Sequence, residues 1–224
     1  MLKLWREWVK PILVVVIVCG AFRSAVADWN DVPTGSMKPT IIEGDRILVN
    51  KLAYDLKIPF TRWRIARWSE PRRGDVVVCF SPHDGTRLVK RVVGVPGDHL
   101  AMRNNRLFVN GVPAVYQQLD AASLGGVDPP DVGMHRLATE TLGGDTHPIM
   151  LSSVARAART FGEITVPPAA FFVMGDNRDE SADSRVFGFV RRRDIVGRAW
   201  AVAYSLDLSH WYMPRLNRVL HSLQ

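Results

Sequence analysis

Residues 73–100 read RGDVVVCFSPHDGTRLVKRVVGVPGDHL. Val76 to Phe80 is an apolar run opened by the Gly74-Asp75 turn, and a second run, Leu88 to Val93, closes on Pro96-Gly97-Asp98. Both are short, rich in valine and bounded by turn residues, which reads as buried strand rather than helix. The second run contains Lys90. Strand alternation sets Lys90 on the face of Leu88 and Val92, opposite Val89, Arg91 and Val93. On an apolar face a lysine is desolvated and its pKa falls, which leaves a neutral amine able to take a proton. On an edge strand it points to solvent and stays an ordinary cation. The sequence leaves both readings open.

The same signature recurs on either side. Ile47 to Val49 follows Gly44-Asp45, and Leu107 to Val109 runs into an Asn110-Gly111 hairpin turn. Phe171 to Met174 and Ile195 to Val202 flank a polar turn from Gly175 to Arg185. These segments predict a mostly β chain with an antiparallel core made by residues 30–115 and 164–204. Between the two parts, residues 116–163 loosen into Gly-Gly, Pro-Pro and scattered acids, with a weak strand near Ile149 to Leu151, and read as an inserted extension. Residues 205–224 carry Trp211 and Tyr212 before a basic amphipathic tail, which either lies on a membrane or packs on the core.

Composition narrows the partners. At 47% hydrophobic the 224 residues can bury a core, which excludes general disorder. The net charge of +7 fits an anionic surface. Arginines and tryptophans interleave in RWRIARWSEPRR, residues 62–73, a pattern that nucleic-acid binding also uses. In an exported chain, lipid headgroups or solvent are the better reading, and no nucleic acid is expected. Cys19 and Cys79 lie far apart without paired spacing, and the histidines are scattered, so neither a disulfide framework, a metal site nor a cofactor is expected.

Residues 1–29 read MLKLWREWVKPILVVVIVCGAFRSAVADW. Lys3, Arg6 and Lys10 precede the apolar stretch, and Trp5, Trp8 and Trp29 flank it, as aromatic rings do at a membrane interface. SAVA before Asp28 resembles a signal cleavage site, so one reading is a removable leader. The other is a retained anchor from about Leu4 to Ala27 with Arg23 reaching outward. On either reading the basic start stays in the cytoplasm and Asp28 onward is exported. Only about eight residues then separate Asp28 from Ser36, which lies in Val32–Thr40, VPTGSMKPT, so Ser36 lies within roughly 26 Å of the membrane surface. That position suits an enzyme whose substrates are held in the bilayer, which favours the anchor. In the turn itself Pro33, Gly35 and Pro39 can hold Ser36 and its N–H outward, as a serine nucleophile requires, although such clusters are commonly plain turns.

Together these segments resemble the bacterial type I signal peptidases, membrane-bound Ser/Lys leader peptidases. Four segments follow the family's order: PTGSMKPT, GDRILVNKL, RGDVVV through LVKRVVGVPGD, and GDNRDESADSR followed by GFV and VGRA. The resemblance implies a signal-peptidase-like antiparallel core behind one N-terminal transmembrane helix, in the cytoplasmic membrane, N-terminus inside and catalytic part outside. It implies Ser36 as nucleophile, Lys90 as general base, and Thr34 with the Ser36 N–H as oxyanion hole. Ser181 corresponds to a serine that orients the lysine, and Asp176, Asn177, Arg178, Asp183 and Arg185 to a scaffold for that turn. Val32, Met37, Val78, Leu88 and Val89 correspond to pockets for small residues at positions −1 and −3 of a signal peptide. The implied partners are exported preproteins and membrane lipid. Three other readings remain: a dedicated maturation peptidase for one export or conjugation system; a membrane-tethered binding protein, for which the Ser36 and Lys90 motifs have no use; and a soluble periplasmic β-protein left after removal of the N-terminal segment.

Overall fold

A computed structural model describes residues 5–61, 63–120, 135–152, 158–208 and 210–223. Lys3, Arg62 and the Gly-Gly and Pro-Pro stretch of the extension lie outside them. The strands are β1 (Ala27–Asp31), β2 (Asp45–Asn50), β3 (Asp55–Lys57), β4 (Arg64–Arg67), β5 (Val76–Phe80), β6 (Arg87–Gly94), β7 (His99–Arg103), β8 (Arg106–Val109) and β9 (Val112–Pro113). They continue with β10 (Val115–Gln118), β11 (His135–Leu142), β12 (Asp145–Ser152), β13 (Phe161–Thr165), β14 (Ala170–Met174), β15 (Val190–Arg191), β16 (Ile195–Asp207) and β17 (Met213–Pro214). Each strand read from the sequence forms, and the one expected at Ile195–Val202 runs on to Asp207.

The main sheet has the order β1-β2-β16-β5-β6-β14-β15, with β17 paired to β16, and every neighbouring pair is antiparallel. Valines dominate β5 because it is buried on both faces. Val76 and Val78 join Met37, Ile41, Ile47 and Val49 on one side, and Val77 and Cys79 join Val92, Phe171 and Val173 on the other. β6 lies inside this sheet, between β5 and β14, and pairs Lys90 with Val77. Lys90 is therefore on the apolar face and only 2% exposed, not on a solvent-facing edge.

Two smaller sheets lie beside the main one, β13-β7-β8-β9 and β10-β11-β12, so β7, β8 and β9, read from the sequence as part of the core, pair outside the main sheet with β13. Their core, with Leu100, Met102, Leu107 and Leu142, is continuous with Phe172 and Met174 of β14. β14 of the main sheet thus supplies side chains to the core of the smaller sheets. Beyond β16 the tail turns back and binds it, with Leu220 N–H donating to Val202 O (2.8 Å) and Leu223 N–H to Trp200 O (3.0 Å). Arg218 is buried and pairs with Asp45 at 2.5 Å. The tail packs on the core, leaving Trp211 and Tyr212 exposed.

At the other end, Trp5–Ala25 is one helical segment of 21 residues, a π turn leading into α1 (Lys10–Ala25). At 1.5 Å per residue it is about 30 Å long, enough to cross a bilayer core. Its apolar side chains from Ile12 to Val18 are exposed. α1 passes almost directly into β1, and the Lys51 ammonium donates to the carbonyls of Arg23 (2.8 Å) and Ser24 (3.2 Å), satisfying the helix C-terminus.

Candidate active site

Gly35–Met37 forms a single 3₁₀ turn after Thr34, whose backbone is extended. Met37 anchors it, being 1% exposed among Ile41, Ile47, Val76 and Val78. With Met37 held inward, Ser36 remains half-buried and turned toward β6. The Lys90 Nζ donates to Ser36 Oγ at 2.7 Å and to Val89 O at 3.0 Å. Burial pushes the Lys90 pKa below the ordinary lysine value, against the pull of the Asp183 carboxylate. Thr34 Oγ1 lies 3.5 Å from Ser36 Oγ, on the exposed side.

The polar turn after β14 supports Ser36 from below. Asn177 N–H donates to Ser36 O (3.1 Å), and Asn177 Nδ2 to Gly35 O (3.2 Å). Gly175 is the contact point: a Cβ built there would fall 2.3 Å from Ser36 O and 2.3 Å from Ser181 Oγ. Only a residue without a side chain lets the two segments approach so closely. Asp183 accepts from Gly175 N–H (3.0 Å) and binds Arg185 through both oxygens (2.8 and 2.7 Å). Ser181 sits beside Gly175, buried, but its Oγ makes no hydrogen bond among the described residues. The Lys90 Nζ points to Ser36 and Val89 instead.

Two buried ion pairs tie this turn to distant strands. Asp176 receives a bidentate contact from Arg91 (2.9 and 2.7 Å) and a hydrogen bond from Thr40. Burial alone would raise the Asp176 pKa, but these donors hold it below the usual carboxylate range. Arg178, wholly buried, pairs with Glu140 of β11, which also accepts from Tyr116 OH at 2.6 Å. The Glu140 carboxyl is pulled well below its ordinary value for the same reason, its burial being outweighed by Arg178 and His147. Backbone bonds join β12 to the turn as well, from Met150 N–H to Asp176 O and from Arg178 N–H to Met150 O, both 2.9 Å.

A family model described as signal peptidase, peptidase S26, matches residues 5–204. This chain belongs to that family. Signal peptidase I of Pseudomonas fluorescens is 38% identical over 93% of this chain and 75% of its own. Signal peptidase I of Pseudomonas aeruginosa is 36% identical over 93% and 73%, and signal peptidase I P of Bacillus subtilis subsp. natto 33% identical over 90% of each. As a member of the signal peptidase family the chain is a serine endopeptidase.

Within this signal peptidase fold the expected pocket residues divide. Val32, Met37 and Val78 are buried in one core cluster, whereas Leu88 and Val89 remain half-buried and offer surface. The sequence reading missed Gly175, Arg91 and Glu140. Arg91 carried a signal, being a second charge inside an apolar strand. Glu140 carried none, because its partner is 38 residues away.

Proposed function

We propose that this peptidase removes signal peptides from exported preproteins while anchored in the membrane, with Ser36 as nucleophile and Lys90 as general base. The observation that carries the reading is the 2.7 Å contact between a buried Lys90 amine and Ser36 Oγ. A serine hydroxyl attacks only as a base removes its proton, and a lysine can serve when its pKa is lowered by burial. In the first step Ser36 Oγ bonds to the scissile carbonyl carbon while its proton passes to Lys90. The resulting ammonium returns that proton to the leaving amine, and the peptide bond breaks to give an ester on Ser36. Water then attacks the ester carbonyl while losing a proton to Lys90, which passes that proton to Ser36 Oγ as the ester bond breaks, releasing the new carboxyl end and restoring the neutral amine. The Ser36 N–H and the Thr34 hydroxyl stabilise the oxyanion. Asp176, Asn177, Arg178, Asp183 and Arg185 hold the turn under Ser36, and Ser181 remains the serine proposed to orient Lys90 during turnover.

Substrate binding follows from the open edge of β6. Pairing with β14 begins at Arg91, so Arg87 to Val89 have β5 on one side and no strand on the other among the described residues. An extended peptide added there alternates its side chains, and the half-buried Leu88 and Val89 leave room for small residues at −1 and −3. A retained single-pass anchor, N-terminus in the cytoplasm, is supported by β1. Ala27 pairs with Asn50, and Asp28 is buried beside Lys51 and Arg23, so cutting after Ala27 requires undoing that strand. The test is cleavage of a preprotein with an A-x-A site by wild type, Ser36→Ala and Lys90→Ala. Loss in both variants with folding retained supports the dyad, and activity surviving either change removes it. A wild type inactive on general preproteins points to a dedicated substrate.

A further inference from the structure

The β3–β4 hairpin carries arginines and aromatic rings that the peptidase site does not use. Its tip touches α1: Phe60 N–H donates to Ser24 Oγ at 2.7 Å, and a Cβ at Gly20 would lie 3.3 Å from the Phe60 ring. Gly20 lies five residues before the end of α1, about 7 Å down the helix axis. On the reading that α1 spans the membrane, on which this inference rests for orientation, the Phe60 ring is at or below the bilayer surface. Trp63, Ile65 and Trp68 on the same hairpin are 76%, 63% and 55% exposed. Exposed rings at the tip, Phe60 and Trp63, are typical of a headgroup boundary, not of a water-facing loop.

Against this hairpin, at the β14–β15 end of the main sheet, lies a cavity of about 640 Å³. Arg64, Arg67, Arg191, Arg192 and Arg193 line it, with Phe189 and a Pro-Pro turn supplying apolar wall. Two carboxylates offset these five cations. Asp55 pairs with Arg64 and Arg192, and Glu70 with Arg67 and Arg192. Asp55 is also shared with Lys57. Arg191 and Arg193 are exposed and have no ion pair or side-chain hydrogen bond among the described residues. A guanidinium fork binds phosphate oxygens in two parallel hydrogen bonds, so the free pair suits a phosphodiester. The apolar wall suits the glycerol beside it.

We propose that the hairpin and this arginine cavity form a docking site for the headgroup of an anionic phospholipid in the outer leaflet. The bound lipid fixes the main sheet against the membrane at a second point, away from α1. Two attachments, unlike one, set the tilt of the sheet as well as its height.

The test uses the full chain in phosphatidylcholine nanodiscs doped with photo-crosslinking phosphatidylglycerol, with labelled peptides mapped by mass spectrometry. Labelling is expected on α1 and on residues 58–68 and 189–193. Arg191→Gln combined with Arg193→Gln is expected to reduce the second group about thirtyfold and leave α1 unchanged, from about 1 kcal/mol per basic residue near a charged surface. Equal labelling of the cavity by photo-crosslinking phosphatidylcholine would overturn the proposal, as would cavity labelling that the double variant does not change. Soluble inorganic phosphate that abolishes cavity labelling while α1 labelling persists would assign the site to free phosphate and overturn the lipid. Absence of labelling on α1 would instead overturn the anchor reading.

Discussion

Replacing Gly175 by alanine adds one methyl group at the point where the polar turn meets the Ser36 backbone. The backbone tolerates alanine there, because Gly175 does not adopt a positive φ, so the effect comes from contact alone. The new Cβ would lie 2.3 Å from Ser36 O, whereas ordinary contact begins near 3.4 Å. One of the two segments must move by about 1 Å. Asn177 binds both Gly35 O and Ser36 O, so the Ser36 turn cannot simply slide away as a unit without breaking these bonds. A shift of that size carries Ser36 Oγ out of its 2.7 Å contact with Lys90. Misplacement of a reacting group by 1 Å costs about 10²-fold in rate, or about 2.7 kcal/mol of barrier. Overpacking itself costs the fold about 1–3 kcal/mol. The expected outcome is kcat reduced about 100-fold on an A-x-A peptide, KM little changed, and a cooperative thermal transition a few degrees lower. A variant with kcat within a few-fold of wild type would refute the claim that Gly175 sets the position of Ser36.

Further outcomes follow from the site and from the buried pairs that support it. Lys90→Met abolishes cleavage and raises stability at pH 7 by the order of 1 kcal/mol, because an apolar chain replaces a desolvated amine. Since the folded Lys90 pKa lies below the unfolded value of about 10.4, the unfolded chain binds more protons in that window and wild-type stability rises with pH through it. Urea unfolding at neutral and alkaline pH checks both signs, and a Lys90→Met variant that is less stable at pH 7 would contradict the burial argument. Thr34→Val lowers kcat by about 10²-fold without changing the melting temperature, as removal of one oxyanion donor does, and unchanged turnover takes Thr34 out of that role. Glu140→Gln weakens a buried pair and costs up to about 3–5 kcal/mol in denaturant unfolding. In the wild type the depressed pKa values of Glu140 and Asp176 contribute stability that is complete above about pH 5 and lost as pH falls through and below 4, which an acid titration followed by circular dichroism reads directly.

How much of this was legible in the sequence depended on how local each determinant is. β5, β6 and β14 were readable because a valine-rich run between turn residues is its own signal, and the Lys90 face followed from alternation alone. Whether that face was covered was not readable, since it depends on Val173 and Phe171 arriving from eighty residues further along the chain. The pairs Arg91–Asp176 and Glu140–Arg178 were hidden for the same reason: a charge in a strand announces that it needs a partner but not which one. Gly175 looked like an ordinary turn glycine, and only the proximity of Ser36 O gives it another reason. The alternatives for the tail were equally matched in sequence because Arg218 is as basic on a membrane as it is against Asp45.

The passage from α1 to β1 without a linker changes how the enzyme meets its substrate. Val26 alone separates helix from strand, and Lys51 clasps the helix end to the sheet. The blade is thus bolted to its post rather than hung from a cord. If α1 stays in the membrane as proposed, the blade cannot swing about its post in search of a cut, and a preprotein it meets has to present its cleavage site at the height where the blade stands. Lengthening the join by a few flexible residues would exchange that fixed cutting plane for a wider but blurred one.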